Sequence, residues 1–179
     1  MTSGTITEWN AEALRALVRD IPDFPQPGII FRDITPLLAH AAAFRAAIDA
    51  MAAPFHDISI VVAIESRGFI LGAPVAYKLG AGLVPVRKVG RLPAATIREE
   101  YALEYGVNTV EMHSDAVKPG ERVLIVDDLL ATGGTVRAAI NLVERLGATV
   151  VGVSVLAELA FLHGRERLKG YHLSSLIVY

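Results

Sequence analysis

The chain has 179 residues, 53% of them hydrophobic and 20% charged, which is enough to bury a full core in one domain. Its net charge of -2 excludes a general electrostatic pull toward nucleic acid or an anionic membrane. It has no Cys, which excludes a disulfide framework and a thiolate metal site.

The opening MTSGTITEWN is polar and shows no secretory leader pattern. Trp9, Ala11, Leu14, Arg15 and Val18 begin the chain's first periodic segment, and the spacing predicts a helix over Trp9 to Val18. IPDFPQPGIIFRDITP then places four Pro in sixteen residues, an extended turn-rich entry with a short strand at Ile29 to Phe31. Ala41 to Met51 reads as an Ala-rich helix. DISIVVAIESRG is a buried strand ending in a polar turn, followed by a helix over Gly68 to Leu79 that Gly80 stops. GLVPVRK is the next strand. Leu92 to Ser114 is polar, with weak periodicity, and is expected to be a long loop with two short strands, outside the sheet core. KPGERVLIVDD is a turn and then the strongest strand of the chain; Thr135 to Leu146 is an amphipathic helix stopped by Gly147. ATVVGVSVLAEL and LSSLIVY are the last two strands. Unbroken apolar strands alternating with helices predict an α/β fold, a mostly parallel twisted sheet with helices on both faces. The most apolar stretches, Phe69 to Val86 and Thr149 to Leu162, carry Lys78, Pro74 and Pro85 or Glu158, so neither is expected to span a membrane, and a cytoplasmic location is expected.

One string combines a buried strand with chemistry: VLIVDDLLATGGT, Val123 to Thr135. In an open α/β sheet, ligands bind beyond the carboxyl ends of the strands. With the strand read as Val123 to Val126, Asp127 and Asp128 stand at that end. Ala131, Thr132, Gly133, Gly134 and Thr135 follow, a loop of little bulk leading into a helix. Such a loop exposes backbone N–H groups, hydroxyls and a helix N-terminus to an anion. It is not a Walker loop, which needs a Lys before its Ser or Thr. There is no G-x-G-x-x-G and no G-x-S-x-G. An acid pair beside an anion cradle would repel bare polyphosphate, but it suits a ribose 5-phosphate, with hydroxyls on the acids and the phosphate in the loop.

VLIVDDLLATGGT resembles the phosphoribosyl-diphosphate signature of the type I phosphoribosyltransferases, and its DDLLATGGT form is similar to the adenine-specific branch of that family. FPQPGIIFRDITPLL, ESRGFILGAPVA, PVRKVGRLP and EYALEYG resemble further blocks of the same branch, in the same order. The resemblance implies one domain over 1–179, a small N-terminal hood at roughly residues 20–40 and a flexible catalytic loop at roughly 92–112. It implies transfer of a phosphoribosyl group from 5-phosphoribosyl 1-diphosphate to adenine, giving AMP and diphosphate, by a homodimer. Mg²⁺ is expected to arrive with the sugar diphosphate, since the five His show no metal-ligand spacing.

The resemblance also implies roles. Asp127 and Asp128 bind the ribose hydroxyls and face the cation developing at C1′; Ala131 to Thr135 hold the 5′-phosphate. Ser66 and Arg67 meet the diphosphate. Arg87, Lys88 and Arg91 add cationic contacts, one of them a candidate for the neighbouring subunit's site. Ile30, Phe31 and Arg32 present backbone and apolar surface to adenine. Leu159 either caps the other face of the base or packs in the core. Glu104 relays the purine proton and Tyr105 serves loop closure. TIREEYALEYG departs from the family pattern by three extra charges ahead of LEYG, with an expected effect on loop closure or subunit contacts. Two other readings stay open at this level: a transferase for a 6-oxopurine, and a non-catalytic sensor of the sugar diphosphate. The sensor reading would need a DNA-binding module, for which there is no helix-turn-helix pattern and no basic stripe.

Overall fold

The computed structural model describes residues 9–102 and 107–179. Helix α1 (Ala11–Arg15) leads into an antiparallel pair, β1 (Arg19–Pro22) and β2 (Ile30–Asp33). Helices α2 (Thr35–Ala39) and α3 (Ala41–Ala52) follow. Then come β3 (Ile60–Ile64), α4 (Arg67–Leu79), β4 (Gly82–Lys88), β5 (Thr96–Ala102) and β6 (Val107–His113). The chain finishes with β7 (Arg122–Leu130), α5 (Gly134–Arg145), β8 (Thr149–Glu158), two short 3-10 turns and β9 (His172–Val178).

Seven strands form one sheet in the order β5-β6-β4-β3-β7-β8-β9. The five strands from β4 to β9 in that order are parallel neighbours, and β6 and β5 are added antiparallel. Alternate residues of the central strands enter two cores. Val62, Ile64, Val123 and Ile125 pack with α5 on one face. Val61, Leu124 and Val126 pack with α3 and α4 on the other. A strand covered on both faces has no polar side to show, which is why these runs read as unbroken hydrophobics. Gly72 lets α4 lie close to the sheet: a Cβ there would stand 2.5 Å from Ala63 Cβ. Among the described residues no helix is long and apolar enough to cross a membrane.

Two local expectations change. Helix α1 stops at Arg15, short of Val18, because Arg19 to Pro22 extend to pair with Ile30 to Asp33. The stretch from Leu92 to Ser114, expected outside the sheet core, supplies β5 and β6, and Val110 and Met112 are buried in the core. Its polar residues are spent on tertiary contacts. Glu111, 1% exposed, accepts from the Arg91 and Leu92 amides at 3.0 and 3.1 Å, from Thr96 Oγ1 at 3.2 Å and from Arg98 Nε at 3.3 Å. Burial raises the Glu111 pKa, but these donors outweigh it and hold the carboxyl below its usual range.

Candidate active site

The chain leaves β3 through α4 toward one edge of the sheet, and leaves β7 through α5 toward the other. The crevice between β3 and β7 is therefore a switch point. The strand β7 runs on past the expected stop at Val126. It pairs with β3 only as far as Ala63↔Val126, yet with β8 as far as Leu130↔Glu158. Beyond Val126 one flank of β7 is open. The Asp128 amide has no partner there on β3, and Asp127 Oδ1 accepts from it at 2.8 Å. That turn of the Asp127 carboxylate brings both acids to one cleft, although neighbours on a strand ordinarily face opposite ways. The helix α4 abuts them: a Cβ on Gly68 would lie 2.9 Å from Asp127 Oδ1.

The cleft has a volume of about 270 Å³. Glu65, Ser66, Arg67, Lys88, Tyr101, Asp127, Asp128 and Thr135 supply its polar lining, over apolar Ile64, Val86 and Val110. Asp127 and Asp128 are 8% and 7% exposed. Burial first, then the charge of Asp128, pushes the Asp127 pKa well above the usual carboxylate range. Burial raises Asp128 too, opposed by the Arg67 guanidinium. Arg67 Nη2 stands 2.8 Å from Asp128 Oδ2.

A second, smaller hollow adjoins the cleft and shares Asp127 and Thr135 with it. Ala131, Thr132, Gly133 and Gly134 line it. Gly133 is the N-cap of α5 with φ of 80°, a conformation that favours Gly. The first turn of α5 holds no acidic residue, so its free N–H groups and partial positive charge face the hollow uncompensated. The loop is braced from behind by Gly164: a Cβ on Gly133 would meet Gly164 O at 2.6 Å, and one on Gly164 would meet Ala131 O at 2.1 Å.

The other expected residues are placed as follows. Ser66 and Arg67 open α4, and Lys88 ends β4, all at the cleft. Arg87 is engaged beside it, donating from Nε and Nη2 to Glu65 at 3.3 and 3.1 Å and from Nη1 to Arg91 O at 3.0 Å. Neither Arg87 nor Arg91 lines the cleft. Burial works to raise the Glu65 pKa, but Arg87 and the Lys88 amide prevail and lower it. The pair β1–β2 reaches the cleft through Arg67, which donates to Arg32 O at 3.1 Å and sits over the Phe31 ring at 4.7 Å. The Arg32 side chain turns the other way, to Asp20 and the Tyr179 ring. Ile30 is half exposed on β2. Leu159 is buried, its amide donating to Leu130 O at 2.9 Å. Glu104 and Tyr105 lie outside the described residues. Sequence reasoning missed Glu65, Tyr101 and Gly164. Glu65 stood inside the ESRG block, so it had a local signal; the other two act only through space.

Known proteins share this sequence and fold. The family model for the phosphoribosyl transferase domain matches residues 33–174. An adenine phosphoribosyltransferase of Thermobifida fusca is 63% identical over 161 residues, covering 89% of this chain and 92% of the relative. The crystal structure of the adenine phosphoribosyltransferase from Rhodothermus marinus superposes with a TM-score of 0.92 at 53% identity, over 94% of this chain and 98% of that one. The enzyme from Saccharomyces cerevisiae, solved with adenine and an imino-altritol bisphosphate, gives a TM-score of 0.88 at 39% identity, over 93% and 98%. With the family model spanning most of its length and relatives this similar, the chain belongs to the phosphoribosyl transferase family, in its adenine phosphoribosyltransferase branch.

Proposed function

We propose that this protein transfers the 5-phosphoribosyl group from 5-phosphoribosyl 1-diphosphate to adenine, giving AMP and diphosphate. One observation carries the reading: the cleft that holds the acid pair and the hollow at the start of α5 share Asp127 and Thr135, an arrangement that fits one phosphorylated pentose lying across both. The solved yeast relative, whose structure contains adenine, supports the choice of base.

In the reaction the bond from C1′ to the diphosphate oxygen breaks and the bond from purine N9 to C1′ forms. The purine loses one proton, and Glu104 is the residue assigned to relay it. Positive charge grows on the ribose ring as the diphosphate leaves; Asp127 and Asp128 face it, and that positive charge favours their ionised form against the burial that raises their pKa. Fixed charge aimed at developing charge lowers the barrier without reorganisation. The backbone of Ala131 to Thr135 anchors the far end of the sugar, so C1′ is held in place for attack. The diphosphate, richer in charge than one carboxylate, draws Arg67 away from Asp128 and frees that acid for the sugar hydroxyls. Lys88 faces the same volume.

Mg²⁺ is proposed to enter with the sugar diphosphate. Among the described residues no group of three or more His, Cys, Asp or Glu could hold a metal. The Asp127 and Asp128 oxygens fit an ion that keeps phosphate and water ligands. When bound, it would neutralise charge on the leaving diphosphate.

A homodimer is proposed as well. Ile70 and Tyr77 on α4, with Leu83 on β4, leave a half- to nine-tenths-exposed apolar face next to the segment that carries Arg87. Sedimentation of the purified protein tests it, with a monomer at micromolar concentration counting against it. The sugar substrate is phosphorylated and highly charged, so it does not cross membranes unaided, which supports a cytoplasmic site of action.

The decisive assay is incubation with adenine, 5-phosphoribosyl 1-diphosphate and Mg²⁺, with AMP followed chromatographically beside a panel of purines. AMP formation with adenine as the best acceptor is expected. A clear preference for a 6-oxopurine, or no nucleotide at all, overturns the reading.

A further inference from the structure

Tyr101 lies in the second-to-last position of β5, paired across the hairpin with Asn108. Thr135 lies in the first turn of α5 and lines the anion cradle. Thr135 Oγ1 donates to Tyr101 Oη at 3.0 Å, and both residues also line the larger cleft. The rest of β5 is fastened to the other end of α5 by different means. Asn141 Nδ2 donates to Glu99 Oε1 at 2.8 Å. Arg145 Nη1 donates to Arg98 O at 2.7 Å and to Glu99 Oε2 at 3.1 Å. The hairpin is thus docked along the helix, with the hydroxyl pair at the phosphate end.

A threonine hydroxyl has one proton. A phosphate group near neutral pH offers mainly acceptor oxygens, so a phosphate in the cradle takes that proton. Thr135 can then no longer donate to Tyr101. The contact survives only if the donor role reverses, which a phenol can do because it both donates and accepts. The result is a chain, Tyr101 O–H to Thr135 Oγ1, and Thr135 Oγ1–H to a phosphate oxygen. Bonds linked in this way polarise one another, and a charged terminal acceptor strengthens them.

We propose that Tyr101 is a positioning residue for the 5′-phosphate of the sugar substrate, acting through the Thr135 hydroxyl. The inference rests on the reading that the cradle holds a 5′-phosphate. It ties the position of β5 to the filling of the cradle, and the chain reaches Glu104 three residues beyond Tyr101. It also accounts for part of the charge-rich REE stretch, since Arg98 and Glu99 hold the hairpin while Tyr101 meets the ligand loop.

The test compares wild type with Tyr101→Phe, Thr135→Val, Thr135→Ser and the Tyr101→Phe/Thr135→Val double variant. Phe keeps the ring and leaves the Glu99, Asn141 and Arg145 contacts in place, and the melting temperature without ligand checks folding. One net hydrogen bond corresponds to a factor of about three to ten. Tyr101→Phe is expected to raise KM for the sugar diphosphate by about that factor, with KM for adenine unchanged. The double variant should be no worse than Thr135→Val alone, and Thr135→Ser should keep the wild-type value. Stabilisation by ribose 5-phosphate, a ligand that cannot react, should fall in Tyr101→Phe. Equal changes in both KM values, additive losses in the double variant, or unaltered ribose 5-phosphate stabilisation overturn the proposal. The ribose 5-phosphate arm needs no catalysis, so a wild type that made no AMP would sink the assigned reaction without deciding this one.

Discussion

Arg67 joins Asp128 to Phe31 and the Arg32 carbonyl, so a single guanidinium binds the acid pair to the β1–β2 segment. Arg67→Gln removes a preorganised charge and a brace at once. The expected loss in kcat/KM is about 100-fold or more, with KM for both substrates affected. Arg67→Lys should recover little, because an ammonium cannot meet a carboxylate, a carbonyl and a ring together. Steady-state kinetics with each substrate varied in turn checks this.

Asp127 is costly to the fold, and the proposed reaction gives its charge a use. Its folded pKa stands well above the ordinary value of 3.8. Below that ordinary value the group is protonated in both states and carries no penalty. As pH rises from there through the folded pKa, the unfolded chain releases its proton first, so stability is lost. Asp127→Asn should therefore melt above wild type at neutral and alkaline pH, with the gap closing in acid. Its kcat should drop by about 100-fold or more. Thermal melts across the pH range, paired with assays, measure both.

Asp33 behaves with the opposite sign. Hydrogen bonds first from Arg19, then from the Thr35 amide and hydroxyl, lower its pKa to about 2. Its contribution is present above the ordinary value of 3.8 and fades as pH falls through about 2. Asp33→Asn should weaken the protein at neutral pH and match wild type near the acid end of that window. Urea midpoints at several pH values give the comparison.

Gly133 and Gly164 press backbone against backbone behind the cradle. Gly133→Ala adds a left-handed backbone penalty and a Cβ 2.6 Å from Gly164 O, at a cost of about 1–3 kcal/mol. Binding of the sugar diphosphate should weaken along with the melting temperature, because the loop must shift to relieve the contact. A similar loss in Gly164→Ala, far away in sequence, would show that the two act as one joint; an undiminished affinity in both would count against it.

Glu111→Gln keeps the shape of a buried acceptor but replaces one oxygen with a donor facing other donors. A loss of about 2 kcal/mol in unfolding free energy is expected. The hairpin should loosen before the rest, visible as faster hydrogen exchange at Thr96 to Ala102.

How much of the molecule is legible in its sequence depends on whether the signal is contiguous. The strands β3, β7 and β8 stand out as apolar runs because each is largely covered on both faces, while β4 and β9, only partly covered, show shorter ones. The cradle from Ala131 to Thr135 is readable because one loop and one helix start build it. The β5–β6 hairpin is readable as two short strands but not as part of the sheet, since Arg98, Glu99 and Glu111 serve contacts to α5 and to a distant turn, and so blur its alternation. The continuation of β7 to Leu130 is equally hidden: two acids look like the end of a strand unless the neighbour on the other side is known. Tyr101 and Gly164 give no local hint, because their partners lie about thirty residues away or more.

The one-sided pairing of β7 past Val126 divides labour along a single strand. Before Val126, substitutions are judged by whether the neighbouring side chains still pack. After it, they are judged by what the open flank can hold. Even there the freedom is partial, because Leu129 and Leu130 still answer to β8, and Leu130 to the core.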